Sequence, residues 1–84
     1  METEFGTITK WNDEKGFGFI TPKLGEKQIF MHIKQYSKDH NRPMQGLPVT
    51  FQRMVDQKGR IYAVNIYPKK GHKKISQAQI EYKY

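Results

Sequence analysis

The sequence predicts an all-β chain folded as one small barrel of five antiparallel strands. Three observations carry that expectation. Apolar residues between Glu4 and Tyr67 recur mostly at every second position, in runs of five to nine residues punctuated by Gly, Pro, Asn and Asp. That is the spacing of half-buried strands, whose successive side chains point to opposite faces. A single long polar interruption, from Lys34 to Gly46, falls after the third run. Five short strands with one long connection suit a closed barrel, which also removes most exposed strand edges.

The first run, Phe5 to Asn12, is rich in Thr and Ile with one Trp, and it closes on the polar stretch Asn12-Asp13-Glu14-Lys15-Gly16. It reads as a strand followed by a hairpin turn. The second run, Gly16 to Thr21, stops at Pro22, and turn residues continue to Lys27 before the third run, Gln28 to Ile33. These three form a meander. The connection from Lys34 to Gly46 reads as an exposed loop, too long for a simple turn. The fourth strand follows Pro48 as Val49 to Val55, Asp56 to Gly59 is a turn, and Arg60 to Tyr67 is the fifth strand. No helix is needed. Residues 1–67 form the expected domain, and 68–84 a basic tail or linker. Within that tail Ile80 to Tyr84 alternates like a strand, while Ile75, Ala78, Gln79 and Tyr82 share one side of a short helix, so both readings stay open.

Composition narrows the function classes. With no cysteine, a thiol nucleophile, a zinc–cysteine site and a disulfide scaffold are excluded. No apolar run approaches the roughly 20 residues of a membrane span, and the opening METEFGTITK lacks the pattern of a signal peptide. The expected compartment is the cytoplasm. Fifteen Lys and Arg against eight Asp and Glu leave a net charge of +7, which suggests a polyanionic partner. From Phe5 to Tyr67 ten basic residues face five acidic ones, so the barrel itself carries +5.

The informative segment is Lys15-Gly16-Phe17-Gly18-Phe19-Ile20. Phe17 and Phe19 share one strand face, and Gly18 and Ile20 the other. If the rings faced inward, the protein would present a bare glycine surface for no gain. If they face outward, Ile20 enters the core and the glycines let the strand coil tightly. An outward aromatic pair requires a partner. In the third run Ile29, Met31 and Ile33 form the aliphatic parity expected in the core, which turns Phe30 and His32 outward beside Phe17 and Phe19. Val49, Phe51, Val64 and Ile66 are the other expected core residues. Lys10, Lys15, Lys27, Lys34 and Arg60 lie near the strand ends, where they can track a phosphate backbone. Rings within a basic groove hold single strands without sequence readout, whereas a duplex buries its π-faces.

The stretch from Gly6 to Ile20 resembles the opening of a cold-shock domain, and Lys15 to Ile20 matches that family's first ribonucleoprotein motif. Ile29 to Ile33 resembles the second motif, and the similarity continues through Gly46 to Phe51 and Ala63 to Ile66. The resemblance implies a five-stranded antiparallel OB-fold barrel that binds single-stranded RNA or DNA and, in many members, loosens RNA structure as a chaperone. By position Phe17, Phe19, Phe30 and His32 match the family's stacking residues and Lys15 a backbone-contacting lysine. This sequence departs from the family in placing Lys10 where a Trp is usual and Trp11 where a Phe is usual. Ile33 stands where an aromatic contact is common, and the loop offers Tyr36 and His40 without a clear counterpart. Fewer rings predict weaker binding unless the lysines or Tyr62 compensate. The Lys-Trp-Asn order also resembles cold-shock domains at the amino end of bacterial proteins that carry a small membrane domain, which would make the basic tail a linker.

The nucleic-acid-binding set is therefore Lys10, Trp11, Lys15, Phe17, Phe19, Phe30, His32 and Arg60. Trp11 shares strand parity with Phe5, so it caps the barrel bottom or meets a base. His32, His40 and His72 lack the spacing of a zinc site, and neither metal nor cofactor is expected. The acids Asp13, Glu14, Glu26, Asp39 and Asp56 lie in turns, where they aid solubility, and an enzyme is the weakest class. The rival is a protein-interaction module using the same aromatic face, or a dimer that exchanges strands about the hinge 34–46. A monomer with no small-molecule substrate is expected otherwise.

Overall fold

The computed structural model describes residues 2–25, 27–38 and 42–69. Its strands are β1 (Glu4–Asn12), β2 (Phe17–Pro22), β3 (Ile29–His32), β4 (Pro48–Val55) and β5 (Ile61–Pro68). They close into a barrel in the order β1-β2-β3-β5-β4. The fold is the predicted all-β, five-stranded barrel. The β1–β2, β2–β3, β1–β4 and β4–β5 pairings are antiparallel. Among the named strands, β3 and β5 meet parallel, at Phe30↔Tyr62.

Alternation along each strand fills the interior. Ile8, Ile20, Ile29, Met31, Val49, Phe51, Ala63, Val64 and Ile66 are buried, including seven of the residues expected there. Two irregularities bend the strands around so small a core. In β1 the register steps from Ile8↔Ile20 to Lys10↔Phe19, so Thr9 is an extra residue. In β5 it steps from Tyr67 to Val64 while β4 advances from Thr50 to Gln52, and there Asn65 takes a φ of 50°. Asparagine tolerates this left-handed conformation better than most residues, and its Nδ2 donates to Gln52 Oε1 at 2.7 Å.

Several expectations need correction. Ile33 is not core: β3 ends at His32, Ile33 opens a 3₁₀ turn through Gln35, and the residue is 39% exposed. The turn swings Ile33 out of strand alternation and over Gly16, whose carbonyl accepts from Ile33 N at 2.8 Å. That turn is also helical structure where none was expected. The following loop is not wholly exposed. Tyr36 bridges to Ile66 and enters the core at 5% exposure, and Pro43 is buried. Tyr36 therefore offers no ring to a ligand. Among the described residues its hydroxyl has no hydrogen-bond partner, and burial raises its pKa. Strand pairing also passes the expected boundary at Tyr67, since Lys69 N donates to Pro48 O at 2.9 Å. The readings of Glu26, Asp39, His40 and of the tail from residue 70 onward lie outside the described residues. Among the described residues no helix is long and apolar enough to cross a membrane.

Candidate nucleic-acid interface

The interface begins with what Gly18 permits. A methyl group there would lie 2.1 Å from the Lys10 carbonyl oxygen and 2.9 Å from Trp11 Cε3, so β1 and β2 approach too closely for any side chain. With Gly18 and Ile20 buried against the interior, Phe17 and Phe19 point outward. Registry places Phe17 opposite His32 and Phe19 opposite Phe30. Phe30 is the hub. Its ring centroid lies 5.7 Å from Phe17, tilted by 36°, and 5.9 Å from Phe19, edge-on at 75°. Such offset and edge contacts are favourable for aromatic rings and hold the cluster in place. Phe30 is 37% exposed, so one face of the hub is open to solvent.

His32 is fixed differently. Its Nδ1 accepts from the Lys34 backbone N–H at 3.1 Å, so in the neutral imidazole the proton sits on Nε2. The ring can then stack and donate outward at once.

β1 settles the exchanged Lys-Trp pair. Lys10 pairs with Phe19, Trp11 with Gly18 and Asn12 with Phe17. Directly opposed residues share a face, so Lys10 stands in the outer row with Phe19, whereas Trp11 lies on the Gly18 side. Trp11 packs partly against the core, and its Nε1 donates to Asp13 Oδ1 at 3.2 Å. The shared parity of Trp11 and Phe5 does not survive the bulge at Thr9, and Phe5 is 46% exposed.

The basic residues rim this face. Lys10, Lys15, Lys27 and Lys34 are exposed, and Lys15 sits in the β1–β2 turn, where its N–H donates to Asn12 Oδ1 at 3.0 Å. Gly16 ends that turn at a φ of 73°, a conformation that disfavours other residues. Arg60 lies in the β4–β5 hairpin with its Nε 3.0 Å from Asp56 Oδ2 and its side chain 72% exposed. The backbone N–H of Arg60 is the main cause that lowers the Asp56 pKa, with Lys58 N–H and the Arg60 guanidinium adding to it. The acids thus do more than aid solubility. Asp56 orders the hairpin, Asp13 holds both Trp11 and Arg42, and Glu4 forms a two-pronged ion pair with Arg53 at 2.7 and 2.9 Å.

Of the expected set, Lys10, Phe17, Phe19, Phe30 and His32 therefore share one outer face, Lys15 and Arg60 stand in turns, and Trp11 leans toward the core. Sequence reasoning named Tyr62 as a residue that could compensate for a lost ring, but it missed Met54 and a polar row on this face. Gln28 Nε2 donates to Thr9 Oγ1 at 3.0 Å and Thr9 meets Thr21 at 2.9 Å, a polar row near the Phe19–Phe30 pair. The outer row also continues from Phe30 to Tyr62 and from Tyr62 to Met54. Hydroxyl and amide residues in strands carry no distinct sequence signal, and Met54 joins the row only through its register with Tyr62. Among the described residues no group of three or more His, Asp or Glu could hold a metal ion.

Comparison with known proteins identifies the family. Residues 4–69 match the family model described as the 'Cold-shock' DNA-binding domain. The chain is 41% identical over 59 residues to the cold shock protein CapA of Pseudomonas fragi, covering 69% of this chain and 92% of that protein. It is 40% identical over 53 residues to the cold shock-like protein CspB of Escherichia coli K12, covering 61% of this chain and 75% of that one. Among solved structures, the Drosophila Unr CSD456 chain superposes with a TM-score of 0.70 at 23% identity, a likeness of fold. That match spans 83% of this chain and 28% of the Drosophila one. A family match over most of the chain, on a barrel with an outward aromatic cluster and a basic rim, means that this chain belongs to the cold-shock domain family of nucleic-acid-binding, non-catalytic proteins.

Proposed function

We propose that the chain binds single-stranded RNA or DNA with little sequence preference, by stacking bases on Phe17, Phe19, Phe30 and His32 while Lys10, Lys15 and Arg60 contact phosphates. The observation that carries this reading is the outward cluster centred on Phe30, with neighbouring rings at 5.7 and 5.9 Å. Three phenylalanines held together on an outer strand face contribute nothing to the core, yet each open ring can take a base at about 1–3 kcal/mol. Duplex bases are already stacked on each other, so only unpaired strands gain. A protein that holds RNA unpaired competes with hairpin formation, which is the physical content of chaperone action on RNA. Trp11 supports Gly18 and the turn from behind, a structural place from which it need not touch a base.

Anisotropy of a fluorescein-labelled oligothymidine tests the stacking model, using the wild type and a Phe17→Ala/Phe30→Ala double variant. Loss of two stacks should weaken binding by at least about 25-fold, since each is worth about five-fold or more. Unchanged affinity in the double variant would sink the model. Salt separates the rival: affinity for a phosphate-tracking groove falls steeply with ionic strength, whereas a partner protein docked on rings barely responds.

A further inference from the structure

We propose that Tyr62 and Met54 form an additional base-binding step, which carries the nucleotide beyond Phe30 onto β5 and β4. This extension rests on the single-strand reading above. Its basis is the registry of the closed barrel. Lys10 pairs with Phe19, Phe19 with Phe30, Phe30 with Tyr62 and Tyr62 with Met54, so one row of side chains crosses all five strands on the outer face. Paired residues on neighbouring strands lie on the same side of a sheet, which puts Tyr62 on the outer face of the strand beside Phe30.

The chemistry of the row changes along its length. At the β1 end it stops at a lysine, so no base stacks beyond Phe19 there. At the other end it continues through a phenol ring to a thioether, and Met54 is 39% exposed. An aromatic ring followed by an unbranched, polarisable side chain offers a flat base a face and an adaptable edge contact. The surrounding charge fits a nucleic-acid strand better than an apolar partner. The hairpin that joins β4 to β5 next to this pair carries Lys58 and Arg60, both exposed, and Arg60 is 72% exposed at the side chain despite its contact with Asp56. A strand leaving Phe30 toward Tyr62 therefore brings its next phosphate toward these cations. Tyr62 is far from the first aromatic motif in sequence, and it joins the platform only because β3 and β5 lie side by side.

Oligothymidines of increasing length, roughly three to eight nucleotides, read the number of occupied steps. Wild-type affinity should rise by about five- to 150-fold at the length that first reaches Tyr62. Tyr62→Gln should abolish that one step and leave shorter oligonucleotides bound as before, whereas Tyr62→Phe should keep it. Met54→Ser, at an exposed position, should reduce the same step and supplies the comparison if Tyr62→Gln fails to fold. In the wild type, an oligothymidine with 5-iodouracil at the position completing the step should crosslink on irradiation to the peptide containing Tyr62. Loss of affinity for short and long oligonucleotides alike in the Tyr62 variant would overturn the extension, as would a crosslink elsewhere. If the wild type binds none of the oligonucleotides, or Phe30→Ala has no effect on any length, the single-strand reading itself fails. Wild-type binding that is lost in Phe30→Ala but has no length step at Tyr62 refutes the extension alone.

Discussion

Replacing Lys10 by tryptophan separates stacking from phosphate contact at a single position. Lys10 lies opposite Phe19, whose ring is 5.9 Å from the Phe30 hub, so an indole at this position extends the aromatic row by one member. One more stacked base contributes about 1–3 kcal/mol. The same change removes a cation, and for single strands each phosphate contact steepens the logarithmic salt dependence by about 0.7. Between roughly 1 M and 0.1 M salt that contact is worth about five-fold, or ~1 kcal/mol. The two effects oppose each other at low salt, and the ring prevails at high salt. Lys10→Trp should therefore change affinity at about 0.1 M salt by between nothing and roughly 30-fold, while the gain at about 1 M should reach roughly five- to 150-fold. Anisotropy titrations of a labelled oligothymidine at the two salt concentrations measure both numbers. A gain that shrinks as salt rises, or a loss at both concentrations, would refute the placement of residue 10 on the platform.

Other outcomes follow from the packing. Gly18→Ala forces a methyl group against the Lys10 carbonyl oxygen at 2.1 Å, and because that neighbour is backbone, β1 must move; chemical denaturation should show a loss of about 1–3 kcal/mol or more, together with weaker oligonucleotide binding. Tyr36→Phe removes a buried hydroxyl that has no partner among the described residues and should raise stability by about 1 kcal/mol. Because burial raises the Tyr36 pKa, wild-type stability is complete below the ordinary tyrosine range and falls as pH rises through the raised value, so thermal melting should show an alkaline loss that the phenylalanine variant lacks. Asp56 has the opposite sign: its pKa is lowered chiefly by the Arg60 backbone N–H, so its contribution is present above the ordinary aspartate range and is lost as pH falls through the depressed value. Asp56→Asn should melt earlier than the wild type at neutral pH, and the difference should vanish in acid.

The strands were legible in the sequence because their evidence is local. Alternation of Ile8, Ile20, Ile29, Met31, Val49 and Phe51 with polar or aromatic neighbours identifies a half-buried strand wherever the chain later packs, and glycines opposite Phe17 and Phe19 leave only one economical orientation for the rings. Other features depend on where one strand meets another. The extra residue at Thr9 shifts side chains by one face, so a parity count from Phe5 places Trp11 incorrectly relative to the platform. Ile33 reads as the end of an aliphatic parity, but the chain turns after His32 and carries it outward. Tyr36, in a polar stretch, looks like an exposed ring until its bridge to Ile66 shows that it packs into the core.

By itself the sequence determined the all-β class, the five strands, most of the core and the outward direction of Phe17, Phe19 and Phe30, since each follows from period-two patterning and the absence of a side chain at glycine. Only the tertiary structure decided that Lys10 and not Trp11 joins the aromatic row, that Arg60 shares its charge with Asp56, and that Tyr62 and Met54 extend the row across β5 and β4. The physical reason is that alternation is a property of one strand, whereas register is a relation between two. A single bulge or a parallel contact between β3 and β5 changes which side chains stand together without altering the pattern within either strand.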